Sequence, residues 1–329
     1  MKHLKLFESF DDIDSICKEL GIRNYSINPD GTVDVDGYVH IPFRKMKKLP
    51  VKFGIVTGDF QCFNNELIKL EGAPIYVGGQ FRCQNNRLVS LKGSPKVVGS
   101  YFDCSGNQLI SLEGAPNEVG GDFNCSRNQL NRLEGAPKSV GNFSCNYNGL
   151  TSLEGAPEEV EGSFFCNSNK LNTLKGAPTK VNVHFTCRKN QLTTLKGGPT
   201  EVGGDFHCDN NELVTLEGGP TEVGGDFDCS ENKLTTLEGS PIYVGGNFEC
   251  KYNNLIDLEG CPKELSGSFD FRGNPVFHLY NFFDSKKSYQ DSLDYNYIRG
   301  TDIIKWRFQE ALDELGMKMP ESIKGYNYI

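Results

Sequence analysis

Ten cysteines share one period: Cys62, Cys83, Cys104, Cys125, Cys145, Cys166, Cys187, Cys208, Cys229 and Cys250, each 21 residues after the last except for a 20-residue step to Cys145. Thiols spaced this regularly could ligate a metal, cycle redox or cross-link. There is no C-x-x-C pair to seed a zinc site, and Cys17 and Cys261 stand off the period without a partner motif. Other routes to catalysis are equally bare. H-E-x-x-H, G-x-x-x-x-G-K-[ST] and G-x-S-x-G are all absent, so zinc hydrolysis, a phosphate-cradling loop and a nucleophile elbow each lack their residues. The sequence therefore predicts no enzyme activity, no cofactor and no bound metal.

The elements that carry these cysteines follow from their neighbours. Phe, one residue, Cys is a period-2 pattern, so Phe227 and Cys229 face inward while Asp226, Asp228 and Ser230 face outward. Thiols in one inward column have parallel Cβ vectors, which suits a disulfide torsion near 90° poorly. They read as small buried hydrophobes. Three residues after each cysteine comes asparagine, in the series Asn65, Asn86, Asn107, Asn128, Asn148, Asn169, Asn190, Asn211, Asn232, Asn253 and Asn274; Phe271 takes the last cysteine slot. A turn leaving a strand buries N–H and C=O groups, and an inward amide can both donate and accept. Leucines such as Leu234 and Leu237 complete the unit. One 21-residue unit cannot bury its own inward face, whereas stacked units can.

The pattern F-x-C-x-x-N-x-L-x-x-L resembles the leucine-rich repeat family, with Phe and Cys where that consensus has leucine. It is most similar to the short bacterial and tailed-phage kinds, which carry G-x-P and V-G-G on the return path. A stretch such as EGAPNEVGG, from Glu113 to Gly121, holds too much Gly and Pro for a helix there. The resemblance implies a mainly β solenoid of about 12 coils, a parallel sheet on one face, and a role in protein recognition. Val140-Gly-Asn-Phe143 is one residue shorter than V-G-G-x-F, and the glycine corner is expected to absorb the difference.

A stack of coils must close its two ends. Residues 33–54 read as a degenerate capping coil, with Val39, Ile41, Met46 and Leu49 in the core slots and Arg44 in place of asparagine. Residues 1–32 read as a helical cap, because Phe10, Ile13, Ile16, Cys17 and Leu20 recur at helical spacing between Ser9, a candidate N-cap, and Gly21, a stop. Residues 55–276 form the solenoid proper. Residues 277–329 read as a second helical cap in which Ile304, Phe308, Leu312 and Leu315 make one stripe, started by Thr301 or Asp302 and ended by Gly316.

A net charge of −9 argues against nucleic acid as partner, since gripping phosphates needs clustered basic residues. The first residues, MKHLKLFESFDDIDS, are too charged for a signal peptide, and no apolar run is long enough to span a membrane; a cytoplasmic location is expected. The MKHLKLFE opening is also similar to the start of many small tailed-phage proteins, which would make a host cytoplasm the site of action. What remains for function is the outer strand face. Its columns carry His184, Asp205 and Asp226, then His207, Asp228 and Glu249, then Asp209, with the aromatics Tyr147 and Phe165 nearby. These nine are the candidate contacts for a partner protein, one with basic groups, and the stacked carboxylates are expected to repel. A virion or surface component that uses the repeat as a rigid spacer is the alternative.

Overall fold

The computed structural model describes residues 10–276, together with 298–299, 302–303, 305–314, 318–322 and 327–328. Its centre is a 12-stranded parallel sheet of two-residue strands running from Val39–His40 to Phe269–Asp270, in which each Phe pairs with the Phe of the next coil. Backbone bonds such as Phe227 N–H to Asn247 O and Cys229 N–H to Glu249 O, both 2.8 Å, tie coil to coil. The chain is thus a parallel-sheet solenoid of about 12 coils.

Its interior consists of columns. Phe60 through Phe248 are fully buried and form an unbroken series of offset stacks, with centroids 5.1 to 5.7 Å apart, a geometry that adds to area burial. At either end the ring turns edge-on, at 75° between Phe53 and Phe60 and 76° between Phe248 and Phe269. The cysteine and leucine columns are equally dry. Through the middle coils the thiols donate to the next coil's carbonyl, as from Cys166 Sγ to Thr186 O at 3.3 Å. Burial pushes the Cys62 thiol up to about 12 and the others further.

Every asparagine of the predicted series sits in the turn and uses its whole amide. Asn190 Nδ2 donates to Cys166 O of the previous coil and to Cys187 O of its own, at 3.1 and 2.9 Å. Its Oδ1 accepts from Leu171 N–H at 3.1 Å. The residue before it takes a left-handed conformation in coil after coil, from Asn64 to Tyr252 with φ of 51 to 63°, which costs a side-chain-bearing residue about 1–2 kcal/mol. The amide bonds hold it there.

Each coil contributes a second strand as well, which the sequence reading did not anticipate. The residue pairs ending in the V-G-G valine, such as Glu222–Val223, form parallel ladders along the return side, in sheets of six, two and five strands, the first of which also holds the N-terminal strands Tyr25–Ile27, Thr32–Val35 and Lys52–Val56. The short coil marks one of the breaks. Val140 pairs with Val160 but not with Val119, while Phe143 keeps its register with both Phe123 and Phe164. The single glycine at 141 therefore absorbs the missing residue without disturbing the main sheet. The next corner, L-x-G, needs glycine for two reasons: Gly135 has φ 94°, and a Cβ there would sit 2.7 Å from Leu112 O.

The ends carry more β structure than a pair of helical caps would. Helix α1, Phe10–Glu19, buries Ile13 and Cys17, with Ile16 and Leu20 packed alongside, and Gly21 follows it at φ 72°. Phe10 is 55% exposed and lies off the buried stripe; Ser9 falls outside the described residues. An antiparallel hairpin follows, β1 at Tyr25–Ile27 and β2 at Thr32–Val35, and β2 pairs in parallel with Lys52–Val56. Tyr25 donates to Asp14 Oδ1 at 2.6 Å and so ties hairpin to helix. The degenerate coil pairs as a coil: Val39 opposes Phe60, and Arg44 N–H donates to Asn65 Oδ1 at 2.9 Å. At the other end, helix α2, Lys305–Glu314, buries Phe308 and Leu312. Asp302 lies in a strand, Asp302–Ile303, paired with Ile298–Arg299 and Asn327–Tyr328. Thr301, Ile304, Leu315 and Gly316 lie outside the described residues.

All the cysteines but Cys261 are buried. A bulky thiol reagent should therefore label one site per folded chain, Cys261, and reach the other eleven only at the rate of unfolding; mass spectrometry of the labelled peptides checks this. Rapid labelling of any cysteine in the column would contradict the interior described here.

Candidate functional site

The outer face of the main sheet is built from three positions per coil: the residue before the Phe, the residue between Phe and Cys, and the residue after Cys. The first is the column of His184, Asp205 and Asp226. It is not a row of repelling charges exposed to solvent. Asp205 Oδ1 accepts from Asp226 N–H at 2.9 Å, and Asp226 Oδ1 accepts from Asn247 N–H at 2.7 Å. The same bond runs unbroken from Asp122 to Ser268 through Asn142, Ser163, His184 and Asn247. Each side chain satisfies the backbone of the coil above, forming a second ladder outside the core. His184 serves through Nδ1, 3.0 Å from Asp205 N, and the same nitrogen lies 3.1 Å from Asp205 Oδ2. The first contact uses Nδ1 as an acceptor, and the second would use it as a donor.

The other two positions form a charge network. Arg188 Nε binds Asp209 Oδ1 at 2.5 Å, and its Nη2 lies 3.8 Å from Asp228 Oδ2. Lys251 Nζ lies 2.6 Å from Glu249 and 3.9 Å from Asp270, which also binds Arg272. Asp209 is buried, Asp228 nearly so, and His207 and Glu249 are half-buried. Burial raises the pKa of Asp228 above the ordinary carboxylate range; Ser230 N–H, bonded at 2.9 Å, opposes the rise, and Asp209 and Glu249 add to it. Asp228 is thus a carboxylate short of positive charge. Among the described residues, no group of three His, Cys, Asp or Glu side chains could hold a metal ion.

Phe165 lies on this face, half-buried in the column of His207 and Asp228. Tyr147 does not share that column. It occupies the left-handed turn position beyond the strand, 53% exposed, with the Arg127 guanidinium 4.7 Å from its ring centroid. Alternation stops at the cysteine, so a residue two places later has left the sheet face. The sequence reading missed a second aromatic group, at the first coils. Phe43, 70% exposed, meets Phe63 edge-on at 5.6 Å, and His40 lies 6.1 Å from Phe63. Aligning Phe43 with Tyr147 and Tyr252, which share its turn position, was the available signal.

No family model and no curated protein matches the chain. Among solved structures it is similar to YopM from Yersinia enterocolitica WA-314, with 18% identity, a TM-score of 0.42, and coverage of 72% of this chain and 69% of that one. It is also similar to YopM of Yersinia pestis, described as a leucine-rich effector protein, with 17% identity, a TM-score of 0.41, and coverage of 72% and 77%. Among the described residues, no helix is long and apolar enough to cross a membrane.

The two acidic positions should respond differently to substitution. Asp226→Ala removes the acceptor for Asn247 N–H and should cost about 1–2 kcal/mol in denaturant unfolding, whereas Asp226→Asn keeps an acceptor and should be nearly neutral. A gain in stability from the alanine would restore the picture of simple repulsion. Asp228→Asn keeps the bond to Ser230 N–H and removes a crowded charge, so it should stabilise by about 0.5 kcal/mol at neutral pH. The folded state of the parent holds a proton on Asp228 more tightly than the unfolded chain does. Its disadvantage therefore shrinks as pH falls through the raised pKa, and the two stability-against-pH curves should converge on acidification.

Proposed function

We propose that this is a leucine-rich repeat protein that acts as a non-enzymatic recognition scaffold and binds a partner protein on the outer strand face. One observation carries the reading. The Phe, Cys, Asn, Leu and Val columns are almost uniform, whereas the position between Phe and Cys changes from coil to coil: Gln61, Arg82, Asp103, Asn124, Ser144, Phe165, Thr186, His207, Asp228 and Glu249. In the described bonds none of those side chains receives the next coil's backbone N–H, so their variety fits a surface matched to something other than the backbone of the next coil. The stacked coils present them on a rigid support, which lowers the ordering cost of binding.

The contact region runs from Phe165 to Glu249, with Tyr147 on its rim. Phe165 is a half-buried aromatic in a polar column, which suits an anchor. Asp228, crowded by Asp209 and Glu249, favours a partner that brings a basic group. His184, Asp205 and Asp226 belong to the framework of this surface, because their side-chain acceptors serve the adjacent backbone.

Affinity capture with the parent chain and with a Phe165→Ser, His207→Ser double variant tests the reading, since neither side chain belongs to a ladder. The two chains should unfold at similar temperatures, and the variant should recover at least about tenfold less of the partner. Recovery from the parent should weaken with salt if the partner is basic. Equal recovery by both chains would take the site off this face.

A further inference from the structure

The first coil reverses the charge of the rest of the chain. Between Gly37 and Gly58 it has five basic residues, Arg44, Lys45, Lys47, Lys48 and Lys52, and no acidic one, in a protein of net charge −9. Lys47, Lys48 and Lys52, with Lys69 of the second coil, are among the residues lining a cavity of about 470 Å³ at the junction of helix α1, the hairpin turn and the first two coils. This volume lies in the range of small-molecule sites.

The four lysines outnumber the two carboxylates that line the cavity with them, Asp30 and Glu71. Among the described residues none of the four makes an ion pair; Lys92, Lys175, Lys196 and Lys233 each meet a glutamate within 3.1 Å, while Lys96, Lys138, Lys170 and Lys189 stand singly on the surface and line no part of this cavity. Of the two carboxylates at the cavity, Asp30 accepts from Thr32 N–H at 3.0 Å and from its hydroxyl at 2.7 Å, bonds that hold it ionised, and Lys52 acts on it in the same direction. The other is Glu71. Ile13, Leu49 and Val51 form a buried apolar floor beneath these groups. Four ammonium groups against two carboxylates leave the cavity net positive over an apolar floor, and a multiply charged anion relieves the remaining repulsion among the lysines. Lysine gathers phosphate oxygens as a flexible point charge and does not demand planar geometry.

We propose that this cavity binds a small, soluble, multiply charged phosphate compound. The cavity shares no lining residue with the Phe165 to Glu249 surface, and the proposal does not depend on the partner reading.

Calorimetric titration of the full chain with inorganic pyrophosphate at low ionic strength tests it. Saturable one-to-one binding is expected, weakened about tenfold in Lys48→Gln, Lys69→Gln, unchanged in the exposed control Lys138→Gln, and declining with salt. The four lysines are exposed, so the substitutions should leave the thermal midpoint in place. A second pair, Lys47→Gln, Lys52→Gln, gives an independent reading of the same cavity. Absence of saturable binding, or equal binding by the parent and both double variants, overturns the assignment. Sedimentation with phosphatidylserine vesicles in the absence of pyrophosphate binding overturns it too, because that would be the response of a basic surface patch to a membrane.

Discussion

The structure depends on one requirement: the backbone groups buried where the chain leaves each strand must find hydrogen-bond partners, and a single amide per coil supplies them. Asn211 shows the arrangement. Its donors reach Cys187 O and Cys208 O, and its acceptor takes Leu192 N–H. Two of these three partners lie in the coil before, so the bond that closes one turn also fastens it to its neighbour. A coil removed from the stack would leave those groups buried and unpaired, at a cost of about 1–3 kcal/mol each. The repeat is therefore stable only as a series. This explains why the first coil keeps Asn65 as its partner although it has Arg44 in its own asparagine slot.

The same requirement shapes what stands beside the amide. The residue before the asparagine must adopt positive φ, which Asn and Gly tolerate and longer side chains resist, yet Arg127, Lys189, Glu231 and Tyr252 occupy it. Their side chains are thrown outward onto the rim of the sheet, and that is how Tyr147 comes to stand against Arg127. The cysteine just upstream offers its carbonyl to two asparagines, leaving the side chain free to fill the narrow space between stacked rings and leucines. A thiol is small enough for this and can still donate weakly to the next coil.

The features legible in the sequence are those set by burial and short spacing. Phe227, Cys229, Asn232, Leu234 and Leu237 declare themselves because each slot admits one kind of side chain and the slots recur every 21 residues. Val39 and Ile41 could be placed by the same register without their asparagine. The second strand at Glu222–Val223 was hidden because two residues are too few to show alternation. The hairpin at Tyr25–Val35 belongs to no repeat. The ladder through Asp205 and Asp226 was illegible for a different reason. Its bonds join residues 21 apart, and a polar side chain in an outward slot suits either solvent or a neighbouring N–H; only the height of the next coil decides between them.

That second ladder changes which parts of the outer face are free to specify a partner. A side chain that must accept from the backbone above can vary only among acceptors, and the column from Asp122 to Ser268 holds Asp, Asn, Ser and His in the described bonds and nothing aliphatic. The third position is partly bound in the same way, as where Asn146 and Asn167 receive the next coil's N–H. The middle position is the least constrained, and there the residues range from Phe165 to Glu249 with little loss to the stack. On the proposed function, framework and recognition would divide by column among three outward positions of one coil, of which only the middle one lies in the two-residue strand. A change of partner could proceed through the middle column alone, leaving both ladders and the ring stack as they are.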